Sequence, residues 1–501
     1  MDVVTDGAVG FRSERGPILI ALMLGTALVA LDSTIIATAV PSVVKEIGGF
    51  SEFPWLFSVY LLAQAVTVPV YGKLADLFGR KPLMLFGIGL FLLGSIMCGV
   101  AWSMPVLIAF RAVQGLGAGA VQPMSMTIVG DLYSLQERAR VQGYLASVWG
   151  ISAVVGPTLG GVFSEYVSWR WIFFVNVPLC LLAAAMLMRN FAERVERGHP
   201  RIDYLGAALL TSGCTLLILG VLEGGQSWAW GSAPGVAILA LGGVLIIAFV
   251  MVERRVAEPI LPLWVFSRRL LLTSSLASLG VGGVVLGLSS YIPTYVQDVI
   301  GTGPVVAGFA LATLTVGWPI SGSQAGRLYL RIGFRSCALI GSALAVLGCA
   351  LLILLSGSSS VLQVAGTCFV VGLGLGLVAA PTLIAAQSTV GWSERGVVTG
   401  NNMFSRSIGS AVGVAIFGAI ANATLGSGGT SSGALSGSGG NSTAALTTAT
   451  HHVFIAVAVL ALAMALAVAC MPRGVAQPAA DQPSTPAADV HPQPAEPQQT
   501  A

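Results

Sequence analysis

Charge sorting constrains this chain more than any other feature. Of its 24 lysines and arginines, twenty fall in alternate gaps between long apolar runs; only Lys45 and Arg170 lie in the other gaps, and Arg111 and Arg406 sit inside runs. Basic loops stay on the cytoplasmic side during insertion, so such alternation sets the orientation of a polytopic membrane protein. A spanning helix needs about 20 mostly apolar residues. Fourteen runs meet that length, the first from Pro17 to Val40 and the last from Val453 to Met471. An even number puts both termini in the cytoplasm. With 55% hydrophobic and 9% charged residues, 501 residues cannot clothe a water-facing surface, which excludes a soluble globular protein. The net charge of +3 is scattered over short loops, so it speaks for orientation and against nucleic-acid binding.

The expected fold is an all-α membrane protein with two six-helix bundles and two extra helices. A cytoplasmic N-terminus, 1–16, precedes a first bundle in 17–190; two additional helices occupy 203–253; a second bundle fills 270–471. Inside the second bundle, 425–450 is rich in Gly, Ser, Thr and Ala and reads as an unstructured outer loop; 472–501, rich in Pro, Ala and Gln, reads as a disordered cytoplasmic tail. Ala37-Thr38-Ala39 imitates a signal-cleavage site, but the run containing it is too long for a signal peptide and carries Asp32, so it is kept as a helix. The seven cysteines all fall in or at the ends of runs and read as small buried hydrophobes, with no metal-like clustering. No GxxxxGK[ST] loop is present, which argues against ATP as the driving force. All four histidines, His199, His451, His452 and His491, fall outside the runs, which leaves carboxylates as intramembrane proton carriers.

Four patterns carry chemistry. Gly72-Lys-Leu-Ala-Asp76-Leu-Phe-Gly79-Arg80-Lys81 joins the second and third runs, and its glycines allow close helix approach while Asp76, Arg80 and Lys81 can form a charge latch. A partial echo, Gly326-Arg327-Leu328 with Gly333 and Arg335, keeps the glycine spacing but has Leu330 where the first has Asp76, which suggests duplicated halves. Asp32 is the single carboxylate deep in any run, a costly place for a charge and hence the leading proton carrier. Arg111, in Arg111-Ala-Val-Gln114-Gly, lies at a matching depth, about 11 Å below the outer surface at 1.5 Å per residue, so a pair with Asp32 is allowed. A purely structural ion pair is the plainer alternative. Trp149-Gly150 followed by Gly156-Pro157-Thr158-Leu159-Gly160-Gly161 could flex and pack backbone to backbone.

Together these patterns resemble the major facilitator superfamily, and within it the fourteen-span drug:proton antiporters, over nearly all of the chain outside the tail. The resemblance implies Asp32 and Arg111 as the proton-coupling pair; Gly72, Asp76, Gly79, Arg80 and Lys81 as the cytoplasmic latch; and Gly156, Pro157, Gly160 and Gly161 as the antiporter hinge that marks exporters. Ser168-Trp169-Arg170-Trp171 and the stretch Arg395-Gly396, Asn401-Asn402, Arg406 and Gly409 are also similar to that family, the tryptophans reading as outer-interface anchors. Substrate-pocket candidates are Gln64, Gln114, Tyr291, Tyr295, Trp318, Gln324, Gln387, Asn401 and Arg406. The expected activity is proton-driven export of amphipathic or cationic drugs across the plasma membrane by a monomer, with no enzyme activity, cofactor or metal. A dedicated exporter of one siderophore, antibiotic or lipid, or a membrane sensor, would share much of this pattern.

Overall fold

A computed structural model describes residues 10–49, 52, 55–193, 203–224, 228–229, 231–256, 258–425 and 440–473. Fourteen of its helices are long and apolar enough to cross a membrane. We label them α1 Gly16–Ile47, α2 Trp55–Phe78, α3 Arg80–Gly99, α4 Met104–Leu132, α5 Leu135–Tyr166, α6 Trp171–Asn190 with a break at Val175, α7 Tyr204–Glu223 and α8 Ala233–Glu253. The second set is α9 Arg269–Thr294, continued by a π-turn Tyr295–Val299, then α10 Pro304–Ile332, α11 Phe334–Ile353, α12 Val361–Ser388, α13 Arg395–Leu425 and α14 Gly440–Ala469. No strand occurs among the described residues. In lipid every backbone N–H and C=O must be satisfied within its own segment, and helices do that.

Small residues set how closely these helices approach. A Cβ on Gly117 of α4 would stand 2.4 Å from the backbone N of Phe91 on α3, and one on Gly372 of α12 would stand 2.2 Å from the carbonyl of Leu314 on α10. Without a hydrophobic drive between helices in lipid, such close packing supplies the association energy. α1–α6 and α9–α14 each enclose their own apolar core, one around Met84, Phe91 and Met124, the other around Leu288, Val371 and Phe454. The two extra helices pair with each other, and Leu210, Cys214 and Ile218 of α7 pack with Leu62 and Ala65 of α2 and Ala411 of α13. They therefore straddle the seam between the bundles.

The most extensive contacts between the bundles run along two lines. α5 meets α10 from Ala139 against Gly326, past Gly143 against Ser323, to Gly150 against Pro319; α2 meets α13 through Gly72 against Gly396 and Val68 against Gly400. These contacts crowd the end where the arginine- and lysine-bearing loops emerge, called the basic end below. Farther along, Ile151 and Val154 of α5 and Phe309 and Val316 of α10 are exposed.

Some sequence expectations shift. α14 starts at Gly440, so 440–450 of the expected outer loop is helical, while 426–439 lies outside the described residues. The expected boundary followed hydropathy, but Ala and Thr extend the helix, and Ala449 and Thr450 are buried. His451 and His452 consequently lie on α14 inside the apolar span Ala445–Ala469, bonded to the Ile353 carbonyl and to Thr424, and not outside the runs as expected. Six cysteines are buried as expected; Cys470 is exposed. Trp169 is buried, its indole N–H donating to Glu46 at 2.7 Å, so only Trp171, half exposed, remains placed as an interface anchor. The tail beyond Arg473, His199 and His491 lie outside the described residues.

Candidate functional site

α1 brings Asp32 and α4 brings Arg111 to the same depth, and the guanidinium Nη1 stands 2.6 Å from Asp32 Oδ2, each side chain 1% exposed. The carboxylate's other oxygen accepts from Gln114 Nε2 at 2.8 Å, one helical turn along from Arg111. Gln114 Nε2 also donates to Ser95 Oγ, which accepts again from Asn176 at 3.3 Å. Arg111 donates through Nε to the Leu56 carbonyl and lies over the Tyr60 ring, 4.1 Å from its centre. Four helices besides α1 thus converge on one carboxylate. Removing one member of such a buried pair leaves the other uncompensated at a cost of about 3–5 kcal/mol.

The glycine motif of α5 packs against the same stretch of α1. A Cβ on Gly156 would lie 2.0 Å from Thr34 Oγ1 and one on Gly160 would lie 2.2 Å from Thr38 Oγ1, whereas Gly161 has nothing within 4 Å. Thr34 also donates to the Ser152 carbonyl at 3.0 Å. Pro157 lies inside α5 and removes a backbone donor there. Any movement of α5 at this point therefore reaches α1 two residues from Asp32.

At the basic end, Asp76 accepts from the backbone N–H groups of Gly396 at 2.9 Å and Val397 at 2.8 Å. It thereby caps the N-terminus of α13, a helix of the other bundle, where the macrodipole favours an anion. Arg80 pairs with Asp76 at 2.9 Å and stacks 3.7 Å above the Trp392 ring, whose residue also gives it a carbonyl acceptor. Its Nε stands 2.9 Å from Asp131 Oδ2, an ion pair off the hydrogen-bond line. Arg395 closes the ring on Asp131 Oδ1 at 3.0 Å. Gly79 adopts φ +96°, which a side chain would strain.

Lys81 does not join this network. Its ammonium binds the carbonyls of Met188 and Phe191 at the end of α6, while Glu193 accepts from the backbone N–H groups of Arg80 and Lys81. Lys81 therefore ties α3 to α6 within one bundle. The repeated loop reproduces the geometry, with Gly333 at φ +84°, but Leu330 offers no carboxylate. α5 instead caps itself: Ser134 accepts from the Glu137 N–H while Glu137 accepts from the Ser134 N–H. Arg138, buried beside it, binds the carbonyls of Tyr133 and Gly130.

On the face opposite the basic end, Glu46 stands beyond the apolar stretch Gly16–Ile36 of α1 and binds Arg170 and Trp169. The Arg170 guanidinium, helped by the Trp169 N–H, holds the Glu46 carboxyl below its usual value against a smaller opposing effect of burial.

Most of the pocket candidates are not brought together. Tyr295 is buried with its hydroxyl on the Ser356 carbonyl; Gln387 binds Thr399 and the Met126 carbonyl; Asn401 binds Ser275; Gln324 is exposed at the basic end beside Arg327. Gln114 belongs to the Asp32 cluster, and Gln64 donates to Gln122. Tyr291 is partly buried against the α9–α14 core. Trp318 and Arg406 do meet, the guanidinium 5.7 Å from the ring centre. Sequence reasoning missed Tyr60, Ser95, Asn176, Asp131, Trp392 and Glu193 as partners. Asn176, a lone amide at an apolar run, offered the only usable signal among them.

With this geometry in place, the family comparison is decisive: the model of the Major Facilitator Superfamily matches residues 22–414. The chain belongs to the major facilitator superfamily. This facilitator is 34% identical over 403 residues to "Multidrug resistance protein 3" of Bacillus subtilis, covering 80% of this chain and 79% of the relative. It is 32% identical over 418 residues to "Multidrug transporter protein MdtP" of the same organism, covering 83% and 77%. Its fold is similar to that of the human organic anion transporter MFSD10, with TM-score 0.60 at 16% identity over 89% of this chain and 99% of the other. It is a multi-pass membrane transporter and not an enzyme.

Proposed function

We propose that this facilitator is a proton-coupled antiporter that exports amphipathic compounds across the plasma membrane, with its basic end in the cytoplasm. The observation that carries the reading is the sealed Asp32–Arg111 pair at 2.6 Å. Ionised, Asp32 neutralises Arg111; protonated, it releases a guanidinium and changes the interior by one unit of charge. A change of that size shifts the balance between conformers, because each conformer solvates the freed cation differently. The Gly156–Gly160 contact with α1 supplies a mechanical route from that event to α5, which packs on α10 of the other bundle. The Asp76–Arg80–Asp131–Arg395 ring supplies the inner closure, which opens when α13 swings away. No cofactor is invoked; the proton gradient is the energy source. The names of the two Bacillus relatives support export of drugs over uptake of nutrients.

The test is vesicle transport of an amphipathic dye under an imposed pH gradient, with wild type and Asp32→Asn. Wild type should accumulate dye against its gradient; Asp32→Asn should equilibrate dye without concentrating it. Uphill transport by Asp32→Asn as good as wild type would remove Asp32 as the proton site.

A further inference from the structure

We infer that Arg406 and Trp318 form the recognition site for the anionic head of an amphipathic substrate, a carboxylate being the best fit. This rests on the export reading and names the substrate class for it. α13 presents two committed faces: Asn402, Gly409 and Gly413 pack on α9, while Gly396 and Gly400 pack on α2 of the other bundle. The Arg406 backbone carbonyl meets Gly282 on the first of these faces, and from there the side chain extends to Trp318 on α10, next to Pro319, which contacts Gly150 of α5.

Among the described residues Arg406 has no hydrogen-bond acceptor: its Nε is enclosed and unpartnered, while the residue keeps partial exposure. No carboxylate can reach it from its own bundle. From Leu270 to Met471 the sequence holds only Asp298 and Glu394. Glu394 lies 12 residues before Arg406, about 18 Å along the helix axis at 1.5 Å per residue, and Asp298 follows α9 at the opposite end. In the other bundle Asp32 is held by Arg111, and Asp76 and Asp131 are held in the latch ring. Deep in the membrane the chain thus carries two guanidinium cations against one carboxylate. An unpaired charge at that depth is costly and marks a functional site.

Water can wet the guanidinium, but its planar fork matches a carboxylate with two parallel hydrogen bonds, and the indole beside it offers a flat apolar platform for the body of the same molecule. A cationic substrate would meet repulsion here. The positive excess therefore narrows the expected range of amphipathic or cationic drugs to molecules bearing an acidic group.

Equilibrium binding to the full-length protein in lipid nanodiscs, without any gradient, tests this with dansyl-undecanoic acid and its methyl ester. Wild type should bind the acid at least about tenfold more tightly than the ester, the scale of one charged hydrogen bond. Arg406→Gln should erase that preference while leaving ester binding in place, and Arg406→Lys should keep part of it. Equal affinity of wild type for acid and ester overturns the proposal, as does an equal loss of both in Arg406→Gln. Should Arg406→Gln fail to fold, the wild-type comparison and Arg406→Lys still decide. Failure of gradient-driven transport with acid preference intact would instead sink the proton-coupling reading and spare this site.

Discussion

Replacing Asp76 by Asn should unlock the basic end. In the closed form Asp76 uses both oxygens on the first turn of α13, Oδ1 for Gly396 and Oδ2 for Val397, and Oδ1 also receives Arg80. Asn keeps one acceptor and turns an N–H₂ toward the other backbone donor. Losing a cap costs about 0.5–2 kcal/mol; the Asp76–Arg80 bond lies within one bundle and is kept in both forms, so it does not enter the balance. At about 1.4 kcal/mol per decade, the ratio of closed to open basic ends falls roughly 2- to 30-fold. Spin labels at Arg140 on α5 and Arg331 on α10, both exposed at that end, report the separation directly by pulsed electron resonance. The distance distribution should move to longer values in Asp76→Asn. An unchanged distribution, with the protein folded, would refute the claim that this carboxylate holds the bundles together.

Gly160→Ala should destabilise the α1–α5 contact by about 1–3 kcal/mol, because its Cβ meets Thr38 Oγ1 and the Ile35 carbonyl, whereas Gly161→Ala should be neutral; thermal unfolding in detergent separates them. Ser134→Ala should weaken the first turn of α5 by about 1 kcal/mol, seen as faster amide exchange there. Glu46 has a lowered folded pKa, so its contribution to stability is present above the usual carboxylate value of 4.5 and is lost as pH falls through the folded value. The difference in melting temperature between wild type and Glu46→Gln should therefore hold at neutral pH and close on acidification.

Architecture was legible because the bilayer imposes a length on every span and a sign on alternate loops. The Asp32–Arg111 pair was legible for a related reason: depth along a helix follows from counting residues, even though α1 runs on to Ile47, beyond the expected Val40. What surrounds the pair was not, since Tyr60, Ser95 and Asn176 come from three other helices and their rotation about the helix axis leaves no trace in spacing. Lys81 was assigned to the latch from its position beside Arg80, yet consecutive residues on a helix start point some 100° apart, and it faces α6. Leu425–Thr450 misled because its small residues serve equally in a loop and in a helix end that packs.

The duplication and its lapses explain why the basic end closes as it does. Both halves keep a glycine at positive φ after their second helix, so both loops turn alike. Only the first retains a carboxylate, and only the helix it faces, α13, depends on the other bundle for its cap; α5 satisfies its own first turn through Ser134 and Glu137. Opening the basic end therefore strips the cap from α13 but leaves α5 intact. The same helix carries Arg406 ten residues beyond Gly396, about 15 Å along its axis at 1.5 Å per residue. A single helix thus links the Asp76 carboxylate at one level to the Arg406 guanidinium at another, so on the proposed reading a substrate anion drawn to Arg406 would act on the helix whose end Asp76 caps.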